Sequence, residues 1–285
     1  MPWKNYSDHF HHRHTVVGNV KVAPEVWSPQ LHNKRPVLVY LPPSYAHSRR
    51  RYPVLYMHDG QNLFDDVTSF AGDWRVDETM EQLGRQGMEA IIVGIYNKGK
   101  DRLDEYSPFV DTHYGGGKGD LYLSFIADTL KPMIDDAFRT LPQRDYTGIL
   151  GSSMGGLISL YAFFEYSDVF GLAGVMSPSL WFADEAIIDF VERAFFAPGR
   201  LYMDVGTREF ADFNHDAVVR SRGYYAGVRR MYRVLYRKGY VPRRNLLYVE
   251  EKWAGHREAD WAARLPMALR FLIPLSEMPS ADPVS

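Results

Sequence analysis

Cysteine is absent from this 285-residue chain. Its absence excludes disulfide bonds, a thiol nucleophile and thiolate zinc sites, although a chain without thiols indicates nothing about the redox state of its compartment. The chain also lacks any run of the roughly 18 apolar residues that a membrane span requires. Its 33 basic and 35 acidic side chains give a formal net charge of −2, so no excess of positive charge predicts binding to nucleic acid or to an anionic membrane.

The N-terminal segment has little apolar character. Residues 1–8 contain no hydrophobic region of the kind found in a secretory signal peptide, which favours a cytoplasmic location. Apolar side chains make up 46% of the chain, enough to bury a sizeable core. No repeat and no linker divides the sequence, so we expect one domain over residues 1–285, with a core over about residues 15–272 and mobile tails on both sides. The sequence does not indicate an oligomeric state.

Short β-rich runs come first in the chain and then alternate with amphipathic runs. The predicted strands are Val16–Val22, Arg35–Tyr40, Tyr52–His58, Ala90–Tyr96, Thr147–Leu150, Leu172–Met176, Leu201–Val205 and Leu246–Glu250. The predicted helices are Trp74–Arg85, Leu121–Phe138, a run that includes Leu157 and Phe164, Glu185–Phe195, Asp216–Lys238 and Asp260–Leu272. This order predicts an α/β fold with a mostly parallel central sheet, antiparallel N-terminal strands and helices on both faces. The long glycine-rich connection over residues 97–119 is typical of a functional loop.

The sequence Gly-Ser-Ser-Met-Gly-Gly at residues 151–156 follows a β-rich run and precedes an amphipathic one. It matches the G-x-S-x-G pattern, the nucleophile elbow, in which a strand turns sharply into a helix and exposes a serine hydroxyl. Glycine on both sides of Ser153 removes the Cβ atoms that would clash in so tight a turn. The N–H groups at the start of the following helix point at any oxyanion that forms beside the serine. The pattern therefore predicts that Ser153 is a nucleophile.

A serine hydroxyl needs a base to become nucleophilic, and a carboxylate orients that base. His256 lies just after the last predicted strand, and in parallel sheets binding and catalytic sites form beyond the carboxyl ends of the strands. It also follows Ser153 in the chain, as the order serine–acid–histidine requires. Glu209 lies in a loop beyond a predicted strand and can reach toward His256, so we expect it to be the acid. Asp204 and Asp212 remain alternatives. Asp204 alternates with apolar residues inside its strand, which predicts that it points at a helix or the core.

Two backbone N–H donors would complete an oxyanion hole. One is expected from Met154, directly after the nucleophile, and the other from Gln61, in the loop after the third strand, where Gly60 lets the backbone turn inward. The residues expected to line the substrate pocket are Asp59, Asn62, Trp74, Ser152 and Trp181.

Five motifs occur in one order along the chain: His58–Phe64, Gly151–Gly156, Ser177–Trp181, Gly206–Glu209 and Gly255–His256. Together they resemble the putative-esterase family of α/β-hydrolases, which includes siderophore esterases of the enterobactin type, feruloyl esterases and acetyl-xylan esterases. The resemblance covers about residues 15–272. It implies the α/β-hydrolase fold, with Ser153 as the nucleophile, His256 as the base and Glu209 at the position where the family carries its acid.

These residues predict a serine carboxylic ester hydrolase that forms an acyl-enzyme with a small-molecule ester of the sugar, aryl or siderophore type. The same machinery would serve an acyltransferase or a peptidase, and a non-catalytic binding module on a hydrolase fold is a further alternative. A metal site at His9, His11, His12 and His14 is disfavoured, because no carboxylate lies at a ligand-like spacing and terminal histidines are usually solvated. We expect neither a metal nor a cofactor.

Overall fold

Apolar runs form the strands and amphipathic runs form most of the helices of this chain. The computed structural model describes residues 3–210 and 215–274. In these residues the strands are β1 (Lys4–Asn5), β2 (Asn19–Ser28), β3 (Asn33–Leu41), β4 (Val54–Met57), β5 (Ile91–Ile95), β6 (Val110–Asp111), β7 (Gly115–Gly116), β8 (Thr147–Ser153), β9 (Leu172–Pro178), β10 (Arg200–Gly206) and β11 (Leu246–Glu251). The α-helices are α1 (Tyr6–His9), α2 (Val76–Gly84), α3 (Arg102–Glu105), α4 (Gly119–Ser124), α5 (Lys131–Ala137), α6 (Met154–Glu165), α7 (Phe182–Arg193), α8 (His215–Arg237) and α9 (Glu258–Leu272).

Nine of these strands form one sheet in the order β1-β2-β3-β5-β4-β8-β9-β10-β11. The three pairings among β1, β2, β3 and β5 are antiparallel, and all pairings from β5 to β11 are parallel. The prediction of a mostly parallel sheet with antiparallel N-terminal strands is confirmed. Because β4, β8, β9, β10 and β11 are parallel, their carboxyl ends meet at one edge of the sheet, where the loops that follow them come together.

The two faces of the sheet bury separate hydrophobic cores. Successive residues of a strand point to opposite faces, and in β4 the side chains of Val54 and Tyr56 join one core while those of Leu55 and Met57 join the other. Helices α6, α7 and α8 cover the first core, and α2 and α9 cover the second. A strand that is apolar on both sides needs helices on both faces, as predicted.

Strand β2 extends further than predicted. The run expected to end at Val22 continues to Ser28, although it contains Pro24. Proline cannot donate to a ladder, and the register between β2 and β3 shifts between Ala23 and Val26. The irregularity accommodates the missing N–H, and the strand resumes beyond it.

The single helix predicted over residues 121–138 is divided. Helix α4 passes into a π-helical segment, Phe125–Leu130, and α5 follows with Pro132 at its start. Proline has no N–H to bond to the carbonyl four residues earlier, so the regular α-helical hydrogen bonding is interrupted at this position. The long connection over residues 97–119 contains the short helix α3 and the hairpin of β6 and β7.

The longest helix is α8, and one stripe of it is buried. Its apolar residues Val228, Met231, Val234 and Leu235 pack onto the sheet, and its polar face carries arginines such as Arg229, which pairs with Glu250. Within the described parts of the chain, no helix is long and apolar enough to cross a bilayer.

Candidate active site

Ser153 lies at the carboxyl end of β8, immediately before α6. Its backbone angles are φ 57° and ψ −122°, a conformation that residues with a side chain rarely adopt. The turn is tight enough to require glycine: a Cβ atom on Gly151 would lie 2.8 Å from the carbonyl carbon of Gly155 and 2.8 Å from Cδ2 of His58. The local sequence therefore places the Ser153 side chain on a strained, tight turn, at the edge of the sheet where the carboxyl ends of the parallel strands meet.

Glu209 and His256 meet at the ends of the two neighbouring strands β10 and β11. Nδ1 of His256 lies 2.6 Å from Oε2 of Glu209, and the backbone N–H of His256 donates to the carbonyl of Glu209 at 3.2 Å. The other carboxylate oxygen, Oε1, accepts from Oγ of Ser177 at 2.7 Å and from the N–H of Gly206 at 2.6 Å. Glu209 is almost fully buried, so these bonds determine its orientation.

Asp204, one of the two alternative acids, lies elsewhere. It is fully buried and points toward α9, where Arg264 binds both of its oxygens at 2.9 and 3.2 Å. Tyr202 donates to the same carboxylate at 2.9 Å. Its pairing with α9 agrees with the expectation that it faces a helix or the core. Asp212, the other alternative, lies outside the described residues.

The hydroxyl of Ser153 lies beside another serine. Its Oγ is 3.0 Å from Oγ of Ser179, and no hydrogen bond joins it to His256 in the described part of the chain. Both Ser153 and His256 line the same two clefts. The His256 ring packs edge-on against Tyr224 and Trp261, with ring centroids 5.5 and 4.9 Å apart. Catalytic hydrogen bonds are commonly long in free enzymes and tighten when substrate binds.

The loop after β4 carries the predicted oxyanion donor. Gln61 lies in a single 3₁₀ turn, Gly60–Asn62, and lines the cleft beside Ser153. A Cβ atom on Gly60 would lie 2.6 Å from the carbonyl carbon of Gly94, so only glycine fits where this loop crosses β5. Met154 is the first residue of α6, and N–H groups in the first turn of a helix have no intrahelical acceptor. The participation of both N–H groups in an oxyanion hole stays a prediction.

Asp59, predicted as a pocket residue, is the centre of a buried polar cluster. Arg102 binds both of its carboxylate oxygens at 2.8 and 2.7 Å, and Asn97 donates to Oδ1 at 2.7 Å. Burial acts to raise the pKa of Asp59, but the Arg102 guanidinium together with the Asn97 hydrogen bond and the neighbouring His58 holds that pKa below its usual range. Neither Arg102 nor Asn97 was predicted. The available signal was their position in the glycine-rich connection over residues 97–119.

His58 lies behind the strained turn rather than in the cleft. Its Nδ1 is 2.9 Å from the hydroxyl of Tyr122, and its Nε2 is buried without a partner in the described residues. Burial lowers the pKa of His58 to about 3, so the ring is neutral at physiological pH. It packs against Gly151 and Gly155 and supports the turn from below.

Two clefts open on either side of Ser153 and His256. The first has a volume of about 890 Å³, and four of the five predicted pocket residues line it: Asp59, Asn62, Trp74 and Ser152. The second, of about 700 Å³, is lined by the fifth, Trp181, with Ser179 and Tyr224. The predicted pocket residues therefore do not form one surface. The sequence did not indicate Tyr224 or Ser179 as lining residues, although Ser179 belongs to a motif on which the family resemblance rests.

One of the N-terminal histidines, His12, contacts the body of the protein. Nε2 of His12 lies 2.8 Å from Oδ2 of Asp65, a carboxylate that also accepts from the Tyr6 hydroxyl at 2.7 Å. In residues 3–210 and 215–274, no group of three or more His, Cys, Asp or Glu side chains is arranged to hold a metal ion.

The sheet order, the helices on both faces and the turn at Ser153 define the α/β-hydrolase class of proteins. Within this class, the model of the family described as "Putative esterase" matches residues 28–272. The chain belongs to this family and is a carboxylic ester hydrolase.

Known relatives are similar over much of the chain. The protein described as "Uncharacterized protein YbbA" of Bacillus subtilis (strain 168) is 31% identical over 181 residues, which are 60% of this chain and 67% of that protein. The siderophore triacetylfusarinine C esterase of Aspergillus fumigatus is 29% identical over 144 residues, 48% of this chain and 47% of that enzyme. The solved structure of the siderophore hydrolase EstA from Aspergillus nidulans superposes with a TM-score of 0.68 at 18% identity and covers 89% of this chain and 95% of that one. This last similarity concerns the fold.

Proposed function

We propose that the protein hydrolyses its ester substrate through an acyl-enzyme on Ser153, with His256 as general base and Glu209 as the carboxylate that orients it. The observation that carries this proposal is the 2.6 Å contact between Nδ1 of His256 and Oε2 of Glu209, next to a serine on a strained strand-to-helix turn. A histidine whose Nδ1–H is bound by a carboxylate keeps Nε2 free to accept a proton.

The reaction has two halves. Nε2 of His256 takes the proton of the Ser153 hydroxyl while Oγ attacks the ester carbonyl carbon, and the N–H groups of Met154 and Gln61 bind the resulting oxyanion. The imidazolium then donates its proton to the leaving alkoxide, and the C–O bond breaks. A water molecule, deprotonated by His256, attacks the acyl-enzyme, and the carboxylic acid leaves as Ser153 regains its proton. Glu209 stays ionised and stabilises the imidazolium in both halves.

We propose a siderophore-type ester as the substrate, with sugar and aryl esters as the alternatives. The supporting observations are the similarity to a siderophore triacetylfusarinine C esterase and the two clefts that flank Ser153. A nucleophile between two clefts suits an ester that is bulky on both its acyl and its alcohol side. The lining is both aromatic and polar, with Trp74 and Trp261 near Asn62 in the first cleft, as recognition of a substituted polar ligand requires.

A fluorophosphonate probe and an ester panel test the proposal together. The probe should label the wild-type protein on Ser153, identified by peptide mapping, because only an activated serine reacts with it. Ser153→Ala should lose labelling and at least about 10³-fold of kcat on every hydrolysed ester. The neighbouring Ser179→Ala is the matched control and should still be labelled. A Ser153→Ala protein that keeps most of its turnover would refute the assignment.

The product analysis separates hydrolysis from the alternative activities. With a siderophore lactone, an aryl ester and an acetylated sugar each incubated in the presence of an alcohol acceptor, a hydrolase yields the free acid. An acyltransferase yields the new ester of the acceptor alcohol instead. A peptidase, assayed separately on peptide amides, cleaves them at a rate comparable to its rate on the esters. Binding of these esters without turnover or probe labelling would favour the non-catalytic module.

A further inference from the structure

A buried polar network lies directly behind Glu209, on the side away from His256. It consists of Ser177 at the end of β9, Asp204 in β10 and Arg264 in α9, each of them buried. We propose that Ser177, anchored by the Asp204–Arg264 ion pair, is a positioning residue that sets the orientation of the Glu209 carboxylate. This inference rests on the proposed role of Glu209 in orienting His256.

All three polar groups of Ser177 are engaged. Its N–H donates to Oδ1 of Asp204 at 3.1 Å, its carbonyl accepts from the Tyr224 hydroxyl at 2.8 Å, and its Oγ donates to Oε1 of Glu209 at 2.7 Å. The backbone φ of Ser177 is 37°, in the left-handed region that favours glycine. A serine in a strained conformation with every polar group bonded is over-determined by its surroundings.

Arg264 determines the direction of the Ser177 hydroxyl. Its Nη2 lies 3.0 Å from Oγ of Ser177, and a guanidinium can only donate. The Ser177 oxygen must therefore accept from Arg264, and its own hydrogen is left to point at Glu209. Arg264 is itself held by the two bonds to Asp204, and although burial disfavours its charge, Asp204 keeps the pKa of Arg264 above the usual value.

The two oxygens of the Glu209 carboxylate have different partners. Oε1 of Glu209 receives two donors, Ser177 Oγ and the N–H of Gly206, so Oε2 is turned toward Nδ1 of His256. Without the Ser177 hydroxyl, one backbone donor alone would hold Oε1, and the carboxylate could rotate out of line with the imidazole. The network also explains why Asp204, which is close to the site in sequence, is not available to His256.

The test is removal of the hydroxyl in two ways. Ser177→Ala keeps the backbone strain, whereas Ser177→Gly relieves it, because glycine adopts a φ of 37° readily. We expect kcat to fall by at least about 10-fold in both variants, as for loss of a hydrogen bond to a charged group, with KM nearly unchanged because Ser177 has no exposed surface in either cleft. In both, the downfield proton resonance of the His256 Nδ1–H should shift or broaden in ¹H NMR spectra.

Ser44 provides a matched control at the opposite edge of the sheet. Its hydroxyl donates to Oε2 of Glu89 at 2.7 Å and its N–H donates to Oε1 at 2.9 Å, and Glu89 is paired with Arg50. Ser44→Ala therefore removes the same type of bond, from a serine hydroxyl to a buried carboxylate. It should leave kcat and the His256 resonance unchanged at a comparable loss of thermal stability.

Glu209→Gln, measured beside these variants, separates the two proposals. If Glu209→Gln retains wild-type turnover, the proposed role of Glu209 is wrong. If Glu209→Gln is inactive while Ser177→Ala and Ser177→Gly both keep wild-type kcat, the positioning role of Ser177 is overturned and the proposed function stands. If Ser177 had only a structural role, activity would follow stability, and Ser177→Gly, which relieves the backbone strain, would be clearly more active than Ser177→Ala. That result would contradict the inference.

Discussion

Replacement of Glu209 by glutamine is the sharpest test of the proposed site, because it changes one oxygen to an NH₂ group with almost no change in shape. In the wild-type protein, Oε1 accepts from two donors and Oε2 faces Nδ1 of His256 at 2.6 Å. A glutamine has one acceptor oxygen and one donor group. One of its two positions must therefore meet a partner of the wrong kind.

The surroundings decide which position that is. The N–H of Gly206 can only donate, at 2.6 Å from the Oε1 position, so the amide oxygen is required there. The NH₂ group then faces His256 and donates to Nδ1. This hydrogen bond selects the tautomer with its proton on Nε2, and that tautomer cannot accept the proton of Ser153. The variant would keep its packing and lose its base.

The expected loss of kcat is about 10⁴-fold, the value that the same change of a triad acid to its amide produces through the wrong tautomer. Asp204→Asn should behave in the opposite way. Arg264, only 3% exposed in its side chain, would lose its charged partner, at a cost of about 3–5 kcal/mol for a broken buried pair. For a protein of this size, that lowers the thermal midpoint by on the order of 10 °C.

The assay is kcat on the best ester of the panel, with the thermal midpoint of each variant measured in the same buffer. We expect Glu209→Gln to be inactive at a near-normal midpoint, and Asp204→Asn to be less stable but to retain more activity at a temperature where it is folded. An inactive, fully stable Asp204→Asn beside an active Glu209→Gln would refute the assignment and exchange the two roles.

Three further predictions concern other contacts of the site and the core. Ser179→Ala removes a hydroxyl whose Oγ lies 3.0 Å from Oγ of Ser153 and that can accept the proton His256 must take, so probe labelling should accelerate by up to about 10-fold, and slower labelling would contradict this. Arg102→Gln leaves the carboxylate of Asp59 without its cation. Because the Arg102 side chain is 24% exposed, the cost in the free energy of unfolding should be smaller than for a fully buried pair, on the order of 2 kcal/mol. We also expect a lower kcat, and an unchanged denaturant midpoint would contradict the prediction. Burial raises the pKa of Asp77 to about 9. Between about pH 4 and pH 9 the native state therefore holds a proton on Asp77 that the unfolded chain has released, and the contribution of Asp77 to the free energy of unfolding falls as pH rises through this range. Asp77→Asn should therefore have a higher thermal midpoint than wild type at pH 8 and an equal one near pH 4, and an equal midpoint at both would refute the raised pKa.

Much of the fold and the position of Ser153 could be predicted from the sequence, because the responsible constraints are local. A tight turn from strand to helix needs glycine within two residues of the serine, and Gly151 and Gly155 are visible as a pattern. Apolar runs such as Val54–Met57 indicate strands buried on both faces. The pairing of Glu209 with His256 was accessible too, since parallel strands bring the loops after them to one edge. That residues 1–285 form a single domain stays a prediction.

Other features depend on side chains that are distant in sequence and meet only by packing. Ser177 and Arg264 are 87 residues apart, and no periodicity connects the end of β9 with the middle of α9. Trp74 and Trp181 look alike as pocket aromatics, yet they line different clefts. Local sequence sets which backbone turns are possible. Which hydroxyl faces which carboxylate depends on how the helices dock on the sheet. A hydrogen bond forms only when donor and acceptor come within about 3 Å of each other, and only the packing of the complete core brings such distant residues that close.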